Sequence, residues 1–107
     1  MSDIGVDIIT IDYISKNMTD SFLRHVLSES EMAELEYRND KVQYVSGRFA
    51  AKEAIIKCFK TMRITDLTKI SILTGQFGEP IVDFDGFDIT VSISHNGGYT
   101  VAVAMLR

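Results

Sequence analysis

Asp40-Lys41-Val42-Gln43-Tyr44-Val45-Ser46-Gly47-Arg48-Phe49-Ala50-Ala51-Lys52-Glu53-Ala54-Ile55-Ile56-Lys57-Cys58-Phe59-Lys60 holds no proline and a single glycine. Strong helix formers fill it, so it reads as one long helix capped by Asp40 and running to about Lys60. At about 100° per residue, Val42, Val45, Phe49 and Ile56 fall on one stripe, which is expected to be the burying face. Glu53 falls inside that stripe, with Lys57 and Lys60 at its edge. Between Phe49 and Phe59, Ala50, Ala51, Ala54, Ile55, Ile56 and Cys58 cover nearly the whole circumference. A helix apolar all round must be buried all round, and a chain this short has little core for that. The pattern therefore predicts that a second subunit covers one side.

On the N-terminal side, Asp3–Ile11 reads as a strand with Ile4, Val6 and Ile8 on one face. Thr19 or Ser21 can cap a short helix through Val26. Ser28 and Glu31 have capping-box spacing and open a helix to about Tyr37. On the C-terminal side, Lys69–Thr74 and Pro80–Phe84 read as strands joined by the turn Gly75-Gln76-Phe77-Gly78. Asp88–His95 and Tyr99–Leu106 form a hairpin around Asn96-Gly97-Gly98. One strand, then helices, then a meander of strands predicts an α+β domain with a mainly antiparallel sheet and a long central helix.

The 107 residues make one domain. With 46% apolar and 24% charged residues, the composition is that of a globular protein, not of a disordered or collagenous one. The single cysteine allows no intrachain disulfide, which fits a cytoplasmic protein. No apolar run approaches the roughly 20 residues of a membrane helix. Eleven basic residues against fifteen acidic ones give a net charge of −4, which argues against general nucleic-acid binding.

Two carboxylates stand where propensity does not put them. Asp7 interrupts the apolar first strand, where aspartate is disfavoured. Glu53 interrupts the apolar stripe of the long helix, where an unpaired charge costs several kcal/mol. Taken singly, Glu53 and Lys57 are an ordinary i,i+4 surface pair, and Asp7 is a strand-end residue. Taken together, two carboxylates resemble a Mg²⁺ site completed by substrate phosphates, with the lysine neutralising a phosphate oxygen. His95 ends its strand just before a glycine turn, where a lone histidine is most often a hydrogen-bonding loop residue. His25 lies on a surface helix. Cys58 reads as a packed thiol.

Three blocks together resemble holo-acyl-carrier-protein synthase, the small single-domain class of 4'-phosphopantetheinyl transferases. They are Gly5-Val6-Asp7-Ile8, the segment from Gly47 to Lys57, and Ser92-Ile93-Ser94-His95 followed by Tyr99 and Ala102. The resemblance spans essentially residues 1–107. It implies a Mg²⁺-dependent transfer of 4'-phosphopantetheine from coenzyme A to a serine of apo acyl carrier protein. Adenosine 3',5'-bisphosphate would be released, and the setting would be cytoplasmic fatty acid biosynthesis. It also implies a homotrimer with active sites between subunits. Asp7 and Glu53 match the metal carboxylates, and Lys57 the lysine on the phosphates. Arg48 and His95 match residues of the coenzyme A pocket, and Gly78 and Pro80 a turn near the adenine. The serine proton would pass to water at the ion or to a carboxylate, with Glu31 and Glu34 as candidates.

Four positions depart from that pattern. Asp3 stands for a glycine, Tyr13 for an arginine that faces the carrier protein, Glu79 for a basic residue in the glycine–proline turn, and Lys60 for a glycine at the helix end. With Tyr13 in place, Lys16, Arg24 and His25 are the nearest basic groups for an acidic carrier. Two rival readings remain open to the residues alone. A metal-dependent phosphodiesterase or nuclease could use two carboxylates and a lysine, but it needs a basic groove that the net charge disfavours. A non-catalytic oligomeric binding module would have no use for Asp7, Glu53 and Lys57 together.

Overall fold

The computed structural model describes residues 3–107. Its first strand, β1 (Asp3–Thr10), is followed by three short helices: α1 (Ile11–Lys16), α2 (Asp20–Val26) and α3 (Glu29–Glu36). The long helix α4 (Lys41–Cys58) comes next, then a 3-10 turn at Leu67–Lys69 and four strands. These are β2 (Ser71–Thr74), β3 (Pro80–Asp83), β4 (Ile89–Asn96) and β5 (Tyr99–Leu106). Strands β1, β5 and β4 form one antiparallel sheet in that order, and β2 and β3 form a separate antiparallel pair. The fold is thus α+β with a long central helix, as the order of elements predicts.

Local chemistry explains most boundaries. Thr19 caps α2 by accepting from the Phe22 amide, and Ser28 and Glu31 complete the capping box of α3. Gly97 and Gly98, both at positive φ, turn β4 into β5. Asp40 precedes α4 as expected but makes no side-chain cap. Its carboxylate instead takes two hydrogen bonds from Arg38, each 2.8 Å long. Helix α1 lies where the first strand was expected to end. Thr10 accepts from the Tyr13 amide and starts a helix one residue before Asp12.

Helix α4 separates two apolar clusters. Ala50, Ala51, Ala54, Ile55 and Cys58 pack with Val91, Ala102 and Ala104 of the sheet and with Ile70, Ile72 and Phe84. Tyr44 and Val45 pack with Ile14, Leu23, Val26, Leu27 and Leu35 of the short helices. The helix is therefore buried by its own chain, and it needs no second subunit to cover it. The expected burying stripe is also corrected: Val42, Phe49, Glu53 and Ile56 are only partly buried, whereas Arg48 and Lys52 are buried. Cys58 is fully buried against Ala104, a packed thiol as expected.

The apolar surface without cover lies elsewhere. In β1 the residues facing α4 are Gly5, Asp7 and Ile9, while Ile4 (61% exposed), Val6 (53%) and Ile8 (61%) face outward. They stand opposite Met105, Val103 and Val101 of β5. The outer face of the sheet thus carries a continuous apolar band, which a soluble monomer seldom shows.

Candidate active site

The approach of β1 to α4 creates the first half of the site. A Cβ on Gly5 would lie 2.0 Å from the Ala54 carbonyl oxygen, so only glycine lets the strand come this close. Two residues on, Asp7 points toward the same helix. Lys57 Nζ donates to the Val6 carbonyl at 2.8 Å and to Asp7 Oδ1 at 3.2 Å. Asp7 Oδ2 is buried and has no hydrogen-bond partner. An unsatisfied buried carboxylate oxygen is costly and marks a place that expects a further ligand. Glu53 shares this corner. Burial raises its carboxyl above the ordinary carboxylate range, the Asp7 charge raises it further, and Lys57 partly opposes them. One lysine thus faces two carboxylates, and the corner is short of positive charge. Among the described residues no group of three or more His, Cys, Asp or Glu could hold a metal. Two carboxylates with an orphaned oxygen fit a divalent cation that takes its other ligands from phosphates and water.

The second half is a cleft of about 190 Å³ lined by Arg48, Gly78, Pro80 and His95, together with Arg38, Tyr44, Gly47 and their neighbours. Residues from three segments far apart in sequence thus meet in one cavity. Arg48 is held rigidly: Nε donates to the Ile72 carbonyl at 2.9 Å and Nη2 to Thr74 Oγ1 at 3.0 Å. Its guanidinium lies 4.2 Å from the centre of the Tyr44 ring. His95 Nδ1 bonds Thr100 Oγ1 at 2.8 Å, and Thr100 bonds Ser46 at 3.1 Å, both of these hydroxyls being buried. That relay leaves Nε2 as the free ring nitrogen. Burial pushes the imidazole below its ordinary value, partly opposed by Asp40.

Glu79 does not aim its charge into the cleft. Its carboxylate accepts from the Phe77 amide at 2.8 Å and folds over the turn, where it occupies the space of a Cβ on Gly75. The departure from a basic residue therefore stiffens the turn that presents Gly78 and Pro80.

Neither candidate carboxylate of α3, Glu31 or Glu34, is free for proton transfer. Glu31 is fully buried and accepts from Lys52, from the Ser28 amide at 2.8 Å and from the Ile72 amide at 2.8 Å. Glu34 accepts from Tyr44 at 2.7 Å and from the Thr74 amide at 2.9 Å. Those bonds hold it below the usual carboxylate range although burial, the largest single influence, opposes them. Both anchor β2 to the helices. Lys52 was not a candidate from the sequence, because a lysine in a helix is read as solvated. It is fully buried, and burial lowers its pKa while Glu31 raises it.

The two halves do not face each other within one chain. Arg48 and Lys57 are nine residues apart on α4, about 14 Å along the axis and about half a turn around it.

Comparison with known proteins bears on this geometry. Residues 3–104 match the family model described as the 4'-phosphopantetheinyl transferase superfamily. The chain is 32% identical over 111 residues to a holo-[acyl-carrier-protein] synthase of Acholeplasma laidlawii, covering 97% of this chain and 94% of that protein. It is 35% identical over 115 residues to that of Petrotoga mobilis, covering 96% and 93%. The crystal structure of the Bacillus anthracis holo-(acyl-carrier-protein) synthase, in complex with CoA (3',5'-ADP), superposes with a TM-score of 0.87 at 31% identity, covering 97% of this chain and 94% of that one. The chain therefore belongs to the 4'-phosphopantetheinyl transferase superfamily, as an enzyme of its holo-[acyl-carrier-protein] synthase family.

Proposed function

We propose that this enzyme transfers the 4'-phosphopantetheine group of coenzyme A to a serine hydroxyl of an apo acyl carrier protein, with Mg²⁺, and releases adenosine 3',5'-bisphosphate. The observation that carries the reading is the buried, unpartnered Asp7 Oδ2 beside Glu53, whose charged form its surroundings resist. Asp7 and Glu53 would hold the Mg²⁺, which supplies charge neutralisation on the pyrophosphate as its P–O bond breaks. Lys57, half-exposed and already turned into the corner, neutralises an oxygen of the departing phosphate. A new bond forms between the serine oxygen and the phosphorus bearing pantetheine, while the bridging oxygen leaves with the nucleotide. Glu31 and Glu34 are fully engaged, so the serine proton leaves to water on the open side of the corner.

Arg48, His95, Gly78 and Pro80 form the nucleotide end of the coenzyme A site, with His95 Nε2 free to donate to a phosphate when the ring is protonated. Because this cleft and the acidic corner lie on opposite sides of α4, one coenzyme A uses the corner of one subunit and the cleft of the next. The exposed apolar band on the outer face of the sheet is the surface that joins those subunits, most simply as a homotrimer. Among the described residues no helix is long and apolar enough to cross a membrane. The lone buried thiol supports a cytoplasmic setting in fatty acid biosynthesis.

Mass spectrometry of an apo acyl carrier protein incubated with the enzyme, coenzyme A and Mg²⁺ tests the reading. The expected result is addition of one phosphopantetheine group, abolished by chelation. A carrier protein of unchanged mass under conditions that support a related synthase would overturn it.

A further inference from the structure

His95 of β4 lies directly opposite Thr100 of β5, and its ring sits over Gly47 of α4. A chain of three hydrogen bonds runs inward from it. His95 Nδ1 meets Thr100 Oγ1 at 2.8 Å, Thr100 meets Ser46 Oγ at 3.1 Å, and Ser46 donates to the Gln43 carbonyl at 2.9 Å. Thr100 and Ser46 are fully buried, so both hydroxyls depend on partners within the protein. Packing alone asks for neither hydroxyl: Val45 precedes Ser46, and Val101, Ala102, Val103 and Ala104 follow Thr100.

The inner end of the chain sets the direction of every bond in it. A carbonyl oxygen only accepts, so the Ser46 proton is committed to Gln43. Each hydroxyl has one proton to give. Thr100 therefore donates to Ser46, and His95 donates from Nδ1 to Thr100. Run the other way, the chain would make two bonds instead of three. The neutral imidazole thus carries its proton on Nδ1 and keeps a bare lone pair at Nε2. A second proton can enter at Nε2 without turning either hydroxyl.

The charged groups that line the cleft with this ring are Arg38 and Asp40, just before α4, and Arg48 on α4. Gly78 and Pro80 bring no charge from the β3 turn, and β5 presents only the Thr100 hydroxyl. Asp40 is clamped by Arg38, and the Tyr44 phenol stays neutral because burial pushes it up. Burial also keeps the imidazole neutral at pH 7, with Asp40 opposing it in part. A bare Nε2 and a phosphate oxygen are both acceptors, so a bond between them needs a proton from solution.

We propose that Thr100 and Ser46 are positioning residues for coenzyme A binding: they hold His95 in its Nδ1–H form, so that Nε2 takes up one proton as it receives a phosphate of the nucleotide. This assignment rests on the reading of the cleft as the nucleotide end of the site. Thr100→Val removes the acceptor at Nδ1. Ser46→Ala removes the acceptor of Thr100, whose hydroxyl then turns to donate to Nδ1. Either change moves the neutral ring's proton to Nε2, which can then bond a phosphate with no proton added.

Two measurements on the assembled enzyme test the proposal. Nitrogen NMR of the free wild-type enzyme should show His95 with a bare Nε2, and each variant should show a protonated one. Calorimetry with adenosine 3',5'-bisphosphate, repeated in buffers of different ionisation enthalpy, should show uptake of about one proton by the wild type. Its Kd should then rise about tenfold from pH 7 to pH 8, as linkage to one proton requires. Thr100→Val and Ser46→Ala should each take up little or no proton, with Kd changing less than about twofold over the same range. A wild-type ring protonated at Nε2, or proton uptake unchanged in both variants, would overturn the relay and leave the cleft assignment intact. A wild-type enzyme that does not bind the bisphosphate would overturn both.

Discussion

Helix α4 carries two lysine–carboxylate groupings that differ in almost every physical respect. Lys52 and Glu31 are fully buried, and every polar atom of the pair is used: Lys52 also donates to the Val26 and Leu67 carbonyls, and Glu31 accepts from two backbone amides. Five residues on, Lys57 sits half-exposed against Asp7 and Glu53, with one carboxylate oxygen orphaned and one carboxyl raised. The first grouping is complete without a ligand and pins α3, β2 and the Leu67 turn to α4. The second is incomplete. The satisfied pair maintains the fold, and the unsatisfied one is available for chemistry.

The contrast is sharpest under substitution. Glu53→Gln and Asp7→Asn should each lower phosphopantetheine transfer by about a hundredfold or more, because several kcal/mol of charge stabilisation is removed. Melting temperature should change little, since relief of the Asp7–Glu53 repulsion offsets the weakened Lys57–Asp7 contact. Transfer assays and thermal melts on the same preparations check both halves of that statement. Lys52→Met should do the reverse to stability, leaving Glu31 charged and buried at a cost of about 3–5 kcal/mol. Denaturant unfolding reads that loss, and near-wild-type stability would show that Glu31 finds other compensation.

Gly5→Ala probes the contact that brings the corner together. A methyl group 2.0 Å from the Ala54 carbonyl must push β1 off α4, for about 1–3 kcal/mol. Activity should fall further than that stability loss explains, because Asp7 moves with the strand. The smallest effect is expected at the carrier-docking surface. Arg24 is exposed on α2, whereas Lys16 is already paired with Asp12 at 2.9 Å. Arg24→Glu should raise KM for the carrier protein several-fold, with little change for coenzyme A and with the difference shrinking in salt.

Much of this was legible in the sequence because it rests on local rules. The capping box at Ser28 and Glu31, the glycine turns and the long helix follow from residue type and spacing. So does the oddity of Asp7 and Glu53, which needs only the knowledge that charge does not belong there. What stayed hidden depends on contacts between distant segments. Period-two alternation separates Ile4, Val6 and Ile8 from Gly5, Asp7 and Ile9, but it does not say which set faces the core. The small residues Gly5 and Ala54, with Ala102 and Ala104, decide it by letting strand and helix touch. The burial of Lys52 depends on Glu31, 21 residues away. Helix α1 was masked by the β-branched run around it, although Thr10 and Asp12 were in place to start a helix.

In the proposed oligomer the unsatisfied corner of one subunit works with the cleft of its neighbour. Subunit mixing tests it. Glu53→Gln breaks the corner, and a cleft variant such as Arg48→Glu with His95→Ala breaks the other half. Each protein alone should be inactive. After the two are unfolded together, refolded and mixed in equal amounts, about a quarter of the sites should combine an intact corner with an intact cleft, and transfer should return to about that fraction of wild type. Mixed oligomers that remain as inactive as their parents would contradict a site shared between subunits.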